Sequence, residues 1–145
     1  MSGNFHVYDP NEVSIVVCGI PIEGGFADGT FVELEQDSDD FVDVAGTDGD
    51  VTRSKTNDRR ATITLTLMSS SPANALLSAL NNIDRRAGNG AGVGPCLIKD
   101  NQGTSLHAGE KSWIAKPPTV TYDKTATPRV WKIRVASLER LDGGN

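Results

Sequence analysis

The segment from Arg59 to Gly88 constrains the fold more than any other part of this chain, because it encodes a strand followed directly by a helix. Between Ala61 and Leu67, apolar residues alternate without interruption with Thr62, Thr64 and Thr66. Such period-two alternation predicts a half-buried strand that has one apolar face and one face in contact with water. Threonine suits the wet face, because its β-branched side chain favours extended backbone and carries no charge.

Helix signals begin where the strand pattern stops. Ser71 is a typical N-cap residue, Pro72 fits the first helical position, and Gly88 follows the last turn. Arg85 and Arg86 suit the negative end of a helix dipole. Between these signals, apolar residues at helical spacing predict one stripe that packs against the sheet: Ala73, Leu76, Leu77, Leu80 and Ile83.

Strand patterns occur on both sides of this helix in the sequence. The predicted strands are Val13–Val17 with Ile20 and Ile22, Thr30–Gln36, Phe41–Val44, Ala61–Leu67, Cys96–Lys99, Glu110–Lys116, Val120–Tyr122 and Pro128–Leu138. This order predicts a mostly β (α+β) fold, built as a β-sandwich or a partly closed β-barrel with one packed α-helix. The length of 145 residues predicts a single domain over residues 1–145. Residues 1–12 are expected to form an N-terminal arm, and residues 139–145 a flexible C-terminal tail.

The segment 45–60 is polar throughout, and its charge changes sign from Asp48 and Asp50 to Arg53 and Lys55. A segment of this length without apolar periodicity is long for a connection inside a compact domain, and such loops are usually functional or disordered. The segment is predicted to be either a long polar inter-subunit loop or an extended hairpin that stands off the body. In both cases it is the first candidate for a contact with a partner.

The net charge of −5 conceals a division of charge along the chain. Residues 1–52 contain twelve acidic residues and no lysine or arginine, whereas residues 53–145 contain seven acidic and fourteen basic residues. Eight of the acids fall between Glu33 and Asp50. A solvated acidic loop is the simplest explanation of such a run. The alternative is a subunit whose oppositely charged parts attract neighbouring copies, since head-to-tail contacts produce rings or filaments.

Motifs that commonly carry chemistry do not match this sequence. The glycine-rich stretch Gly88–Gly94 follows a helix instead of opening one, and it lacks the lysine of a phosphate-binding loop. His6 and His107 are the only histidines, and neither has a cysteine or an acidic cluster at metal-ligand spacing. The acidic run at 37–43 does not match the calcium-loop pattern, because Val42 occupies the position of the required glycine. The sequence therefore predicts no catalytic residue, no cofactor and no metal site.

The cysteine content and the hydropathy of the chain indicate the compartment in which the protein is made. Cys18 and Cys96 are too few for a disulfide framework, so we expect two buried, reduced thiols in a protein made in the cytoplasm. No apolar run is long enough for a membrane span, which needs about 18 residues. The first residues lack the positive region and apolar core of a secretion signal.

Three adjacent parts of the central segment carry a resemblance to a known family: the strand Thr62–Leu67, the linker Ser69–Asn74 and the leucine-rich Leu76–Leu80. A small acidic, mostly β chain with this unit, preceded by a long polar loop, resembles the tail tube proteins of contractile-tailed bacteriophages. The opening strand VSIVVCGIPI and the closing strand VWKIRVASLERL are also similar to that family.

The resemblance implies a fold shared with the inner-tube protein of type VI secretion systems. It also implies hexameric rings that stack into a tube inside a contractile sheath, with sheath, terminator, baseplate and tape-measure proteins as partners. Such a protein belongs to the virion tail and is assembled in the host cytoplasm, without a membrane. DNA passes through its lumen without specific binding. On this basis Asp48–Lys55 is expected to reach the next ring, and residues 71–87 to form an outward-packed helix.

Two sets of site residues follow from the charge division, the threonine face and the resemblance taken together. Residues expected at inter-ring or inter-subunit contacts are Asp39, Asp40, Asp48, Asp50, Arg53, Lys55, Arg59 and Arg60. Residues expected to face the lumen are Thr62, Thr64, Thr66, Glu33 and Glu35. A wall along which DNA moves should be neutral to acidic, because duplex DNA carries about one negative charge per 1.7 Å of axis. Lys132 and Arg134 suit such a wall less well, and we assign them to subunit contacts.

Two other classes of function stay open at this point. One is a carbohydrate- or receptor-binding module of a tail fibre or baseplate, which would need exposed aromatic residues on a concave face. The other is an acid-catalysed hydrolase, which would need a pocketed pair of carboxylates, with Asp39 and Asp40 as the candidates.

Overall fold

The computed structural model describes residues 5–144. Over these residues the chain forms ten strands, one α-helix and one short 3₁₀ helix. In chain order, the elements are the 3₁₀ helix Pro10–Glu12, β1 Val13–Val17, β2 Ile20–Ile22, β3 Val32–Gln36, β4 Phe41–Ala45, β5 Val51–Lys55, β6 Ala61–Leu67, α1 Ala73–Ala87, β7 Gly94–Asp100, β8 Leu106–Lys116, β9 Arg129–Val135 and β10 Leu138–Leu141.

Eight of the strands form one antiparallel sheet, and β4 and β5 form a separate two-stranded hairpin. The order in the large sheet is β2-β1-β7-β8-β9-β6-β3, and β10 pairs with the first part of β8. The sheet does not close, and it surrounds a single apolar core together with α1. The predicted mostly β fold with one helix is therefore confirmed, in its sandwich-like form.

The core is organised around β6. Its four apolar residues are at most 1% exposed, as the alternation of the sequence predicts: Ala61, Ile63, Leu65 and Leu67. On the neighbouring strand β9, Trp131, Ile133 and Val135 pair with this same face and are also buried. Truncating a side chain of this kind to alanine typically costs about 2–5 kcal/mol, because a cavity remains where the methyl groups were.

The helix begins after Pro72, and the Ser71 hydroxyl accepts a hydrogen bond from the Ala73 N–H at 3.4 Å. It ends at Gly88, whose φ of 67° is the left-handed conformation that glycine adopts freely. The Trp131 indole N–H donates to Asn74 Oδ1 at 2.9 Å and joins the helix to β9. The predicted C-terminal boundary is therefore correct, whereas the helix begins one residue later than predicted, with Pro72 instead of Ser71 at the N-cap.

The predicted apolar stripe of the helix is only partly correct. Ala73 and Leu77 are buried and Leu80 is partly buried, whereas Leu76 and Ile83 are more than half exposed. At about 100° per residue, the three buried positions share a narrow arc, and the other two lie roughly 60–90° to one side of it. Only this narrow arc meets the sheet.

The first predicted strand is divided by a tight turn. Cys18 and Gly19 both have positive φ, 53° and 81°, and they connect β1 to β2. Two such residues between paired strands form the turn that matches the twist of a hairpin. The sequence prediction is wrong here because a non-glycine residue at positive φ is uncommon and cysteine does not signal it. Cys18 and Cys96 are both buried and free, so the predicted buried thiols are confirmed.

The predicted strand at Val120–Tyr122 is wrong, because the segment 117–128 is an exposed loop between β8 and β9. Two prolines at its start lack the N–H that a strand ladder needs. At the C-terminus, β10 extends pairing into the segment predicted as a flexible tail, and the Gly144 N–H donates to Thr104 Oγ1 at 2.9 Å. Within the predicted N-terminal arm, residues 5–8 are exposed and lie before the 3₁₀ helix, while residues 1–4 fall outside the described range.

The strands β3, β6 and β9 define two opposite ends of the sheet. We call the first the hairpin end, where β3 leads into β4, β5 leads into β6, and the Asp37 N–H donates to the Arg60 carbonyl at 3.0 Å. We call the other the loop end, where Leu67 pairs with both Phe26 and Arg129. No helix among residues 5–144 is long and apolar enough to cross a membrane.

Candidate functional site

A polar face covers β3, β6 and β9 on the side of the sheet opposite the core. Thr62, Thr64 and Thr66 are half-buried on this face, as the alternation predicts. Antiparallel pairing places each of two threonines of β6 between an acid of β3 and a base of β9. The register gives two rows across the three strands, Glu33–Thr64–Lys132 and Glu35–Thr62–Arg134.

Hydrogen bonds connect the charged groups of this face through the threonine hydroxyls. Lys132 Nζ donates to Thr64 Oγ1 at 3.3 Å, and Arg134 Nη1 lies 3.3 Å from Thr62 Oγ1. Thr62 Oγ1 donates in turn to Asp37 Oδ1 at 2.9 Å, and Arg134 Nη2 makes an ion pair of 2.5 Å with Asp37. The face is therefore a hydrated surface on which each cation has a polar partner.

This face carries two cations beside the acids and threonines that the sequence assigned to the lumen. Lys132 and Arg134 lie among the threonines, because they alternate with the buried residues of β9 and must point to the opposite side of the sheet. Three acids, Glu33, Glu35 and Asp37, stand against these two bases. The face is mixed in sign and close to neutral.

The hairpin β4–β5 projects from the hairpin end, and all ten of its strand residues are exposed. Apolar side chains lie on both of its faces: Phe41 and Val51 on one, and Val42 and Val44 on the other. Val44 and Val51 are 67% and 66% exposed. The guanidinium of Arg53 lies 4.0 Å from the centroid of the Phe41 ring and partly covers it.

The tip of the hairpin is an ordered acidic turn. The Gly46 N–H donates to the Asp50 carbonyl at 2.7 Å, and the Asp50 N–H donates to Asp48 Oδ1 at 3.2 Å. Gly49 has a φ of 94°, which a residue with a side chain rarely adopts. Both carboxylates thus lie in an exposed, hydrogen-bonded turn at the tip of the hairpin.

A second polar network holds the base of the hairpin. Arg60 donates to Asp58 through Nε at 2.9 Å and Nη2 at 2.8 Å, and Ser38 Oγ donates to the same carboxylate at 3.0 Å. The hydrogen bonds from Arg60 hold the pKa of the Asp58 carboxyl well below its ordinary value, and they raise the pKa of Arg60. On the other strand, Gln36 Nε2 donates to Asp40 Oδ1 at 2.8 Å. These contacts fix the direction in which an otherwise solvated hairpin leaves the sheet.

The eight residues predicted at inter-subunit contacts all lie on this projection or at its base. Asp48 and Asp50 occupy the turn, and Arg53 and Lys55 lie on β5. At the base are Asp39, Asp40, Arg59 and Arg60. Of the two structures predicted for the segment 45–60, the extended hairpin is the one that forms, and it starts earlier, at Phe41.

Comparison with known proteins decides the family. The family model of the bacteriophage PhiTE tail tube protein matches residues 14–143, which is nearly the whole described chain. This chain belongs to that phage tail tube family. The resemblance found in the sequence is therefore confirmed, and it covers both the polar face and the hairpin.

Two individual relatives agree with this family. The structural protein ORF10 of Pseudomonas phage KPP10 is 32% identical over 150 aligned positions, which cover 100% of this chain and 87% of the relative. Among solved structures, the tube-terminating cap of the anti-feeding prophage superposes with a TM-score of 0.56 at 7% identity, covering 97% of this chain and 95% of that one. At so low an identity, the second comparison shows that the two chains share a fold and nothing more.

Sequence reasoning missed the residues that hold the hairpin and tie it to the polar face. Asp37, Ser38 and Asp58 make these contacts, yet only Asp37 drew attention, as part of an acidic run. The one available signal is the i, i+2 spacing of Asp58 and Arg60, which allows a carboxylate to accept from its neighbour's guanidinium across an extended turn.

Buried titratable groups elsewhere in the tail tube fold do not gather into a site. Among residues 5–144, no three His, Cys, Asp or Glu side chains come together in a group that could hold a metal ion. His107 Nε2 lies 3.7 Å from Asp142, and burial lowers the pKa of His107. Burial likewise raises the pKa of Cys18 to about 11 and that of Cys96 above its ordinary value, so both thiols are protonated at neutral pH.

Proposed function

We propose that this chain builds a phage tail tube from hexameric rings that stack through the β4–β5 hairpin and enclose a conduit for DNA ejection. The observation that carries the proposal is the hairpin: ten exposed strand residues with apolar side chains on both faces. An isolated two-stranded hairpin is marginally stable in water. A chain that projects one in a fixed direction, with valines exposed, is suited to bury it against another subunit.

The exposed area of the hairpin valines sets the free energy that their burial in an assembly would contribute. Burial of a valine side chain contributes about 1.5–3 kcal/mol, and Val44 and Val51 have about two-thirds of that still to gain. The acidic tip would orient an approaching subunit more than it would raise the affinity, because exposed charges mainly affect the rate and the specificity of association. Because each subunit of a ring would contribute one hairpin, the modest free energy of a single contact would add up over the whole ring.

The polar face suits the wall of the conduit. Its threonines carry no charge, and its three acids and two bases nearly cancel, so it offers a polyanion little net attraction. Lys132 and Arg134 are held by Thr64 and by Thr62 with Asp37, which limits their freedom to bind phosphate. Thr62, Thr64, Thr66, Glu33 and Glu35 would then line the lumen, and the helix would face outward.

The proposed setting is the virion tail, after assembly in the host cytoplasm. The expected partners are further copies of this chain, a contractile sheath, and terminator, baseplate and tape-measure proteins. No catalytic step is proposed, and no cofactor or metal is required for this role. A binding module of a tail fibre or baseplate is the competing function, and glycan-array binding by the monomer would favour it.

The test is electron microscopy and analytical ultracentrifugation of the purified full chain beside a variant whose residues 41–55 are replaced by a short Gly-Ser linker. The proposal expects rings and tubes from the natural chain, and rings that do not stack from the variant. Circular dichroism controls for folding, because the hairpin contributes no buried residue to the core. A natural chain that stays monomeric at high concentration, or a variant that still forms long tubes, contradicts it.

A further inference from the structure

The glycine-rich connection between α1 and β7 is a sequence motif that the proposed assembly leaves unused. It runs from Gly88 to Gly94 and contains Asn89–Gly90, the only Asn-Gly pair in the sequence. In such a pair the side-chain amide carbon lies within reach of the next backbone nitrogen, and glycine has no side chain to shield that nitrogen. The pair therefore has the composition that favours attack of the backbone on the side chain.

The connection is anchored on both sides of this pair. On one side, Gly88 ends the helix with a φ of 67°. On the other, the Gly92 N–H donates to Asp84 Oδ1 at 3.2 Å, and a Cβ added to Gly92 would lie 2.5 Å from the Asp84 Cβ. Between these anchors, residues 88–91 are exposed. The Asn-Gly pair thus lies in a short solvated span whose two ends are fixed.

The two groups that would react with each other are not held by other contacts. Within residues 5–144, neither the Asn89 side-chain amide nor the Gly90 N–H has a hydrogen-bond partner. The Gly90 carbonyl accepts from the Val93 N–H at 3.0 Å, which leaves the Gly90 nitrogen unoccupied. Because exposed loop segments open at close to no cost in free energy, the pair can reach the geometry of attack without unfolding of the domain.

The turn of the β4–β5 hairpin contains a similar pair, Asp48–Gly49, in which both groups are occupied. The Gly49 N–H donates to the Gly46 carbonyl at 3.0 Å, and Asp48 Oδ1 accepts from the Asp50 N–H at 3.2 Å. Asparagines inside α1 are followed by N–H groups that donate within the helix. Hydrogen bonding therefore distinguishes Asn89 from these other positions.

We propose that Asn89 is a site of spontaneous conversion to aspartate and isoaspartate. The Gly90 nitrogen loses its proton and attacks Asn89 Cγ. A C–N bond forms, the bond from Cγ to the side-chain nitrogen breaks, and that nitrogen leaves as ammonia with the lost proton. Water then opens the resulting succinimide ring. Opening at one carbonyl gives aspartate, and opening at the other gives isoaspartate, in which the backbone runs through the side-chain carbon.

The conversion changes the charge at the end of the helix. Residues 84–90 contain one acid, Asp84, and two bases, Arg85 and Arg86, so their net charge falls from +1 to 0. A carboxylate just beyond the C-terminus of a helix is unfavourable, since that end of the helix dipole is negative. Converted chains should therefore bind more tightly to an anion-exchange column than new chains do, while the core stays the same.

Peptide mapping of the aged, dispersed full chain tests the proposal. Trypsin cuts after Arg86 and Lys99 and releases a peptide in which Asn89 is the only side-chain amide. The deamidated fraction should increase with time and with pH, because the attacking nitrogen must lose its proton. The rate in the folded chain should be within about threefold of the rate in the isolated peptide, because the exposed span needs little opening. Electron-transfer fragmentation should detect isoaspartate, which direct hydrolysis of the amide does not produce.

Two controls separate the effect of the loop from general ageing of the protein. The tryptic peptide 61–85 carries Asn74, Asn81 and Asn82 of the helix and should convert at least about tenfold more slowly in the folded chain, because helical N–H groups are released only by unfolding. Asn89→Gln should remove the conversion, since glutamine would have to close a larger ring, and should leave circular dichroism unchanged.

Three results would overturn the proposal. The first is conversion of Asn89 that is more than about tenfold slower in the folded chain than in the isolated peptide, which would show that the span is protected. The second is equal conversion of the helical asparagines, and the third is aspartate without isoaspartate. None of these results depends on ring or tube formation, so the proposed function is tested separately.

Discussion

Replacing the two most exposed of the three hairpin valines with threonine, V44T/V51T, should separate assembly from folding. Threonine has nearly the shape of valine and retains its preference for strands, so the hairpin stays formed. In the free subunit both positions are about two-thirds exposed, so the hydroxyls meet water and the free energy of unfolding should change by less than about 0.5 kcal/mol. The assembled state should respond differently, because there each hydroxyl would be buried.

The expected effect on assembly follows from burying each new hydroxyl in an apolar contact. Without a partner, a buried hydroxyl costs about 1–3 kcal/mol in proteins, so the two substitutions cost at least about 2 kcal/mol per subunit. That cost corresponds to about a 30-fold higher concentration for tube formation. The assay is the pelleted fraction in a dilution series, beside urea unfolding of the dispersed subunit. An unchanged dilution curve, or a loss of unfolding free energy as large as that of a core substitution, refutes the reasoning.

Three further predictions concern the subunit itself. Leu65→Ala, at a fully buried position in β6, should lower the free energy of unfolding by about 2–5 kcal/mol in urea titrations, whereas Leu76→Ala on the exposed flank of the helix should stay within about 1 kcal/mol. Because the folded pKa of Asp58 is depressed, its contribution is complete above the ordinary aspartate pKa of about 3.9 and is lost only as pH falls through the lower folded value. Nuclear magnetic resonance should therefore show the chemical shift of the Arg60 Nε–H unchanged from pH 7 to pH 4, and Asp58→Asn should move that chemical shift at both pH values; a chemical shift that titrates between pH 5 and pH 4 contradicts the low pKa of Asp58. Native protein should react with Ellman's reagent at neither cysteine until it is unfolded, and rapid labelling of the folded chain would contradict the burial of Cys18 and Cys96.

Local patterns predicted those elements whose burial is periodic. The alternation of β6 and the cap, proline and glycine of α1 are local signals, and both elements form where the sequence indicates. Which side of the helix meets the sheet is a property of packing, so Leu76 and Ile83 could not be distinguished from Leu77 by spacing alone. The turn at Cys18 depends on a positive φ, a backbone conformation that a cysteine in the sequence does not predict.

The candidate site also has one part that local sequence patterns predicted and another that they did not. The hairpin was accessible to sequence reasoning because its polarity, charge and length set it apart from the body. Its base was not, because Asp37, Thr62 and Arg134 come together only when β3, β6 and β9 pair in one register. The position of Lys132 and Arg134 beside these threonines was not predictable for the same reason, since the identity of the neighbouring strand is a long-range property.

The most direct test of the account is cryo-electron microscopy of the purified full chain at a concentration that allows assembly. The account predicts hexameric rings stacked into a tube, with the threonine face toward the lumen and the β4–β5 hairpins between adjacent rings. A lone subunit at every concentration, or a tube whose lumen is lined by another face of the sheet, would contradict it.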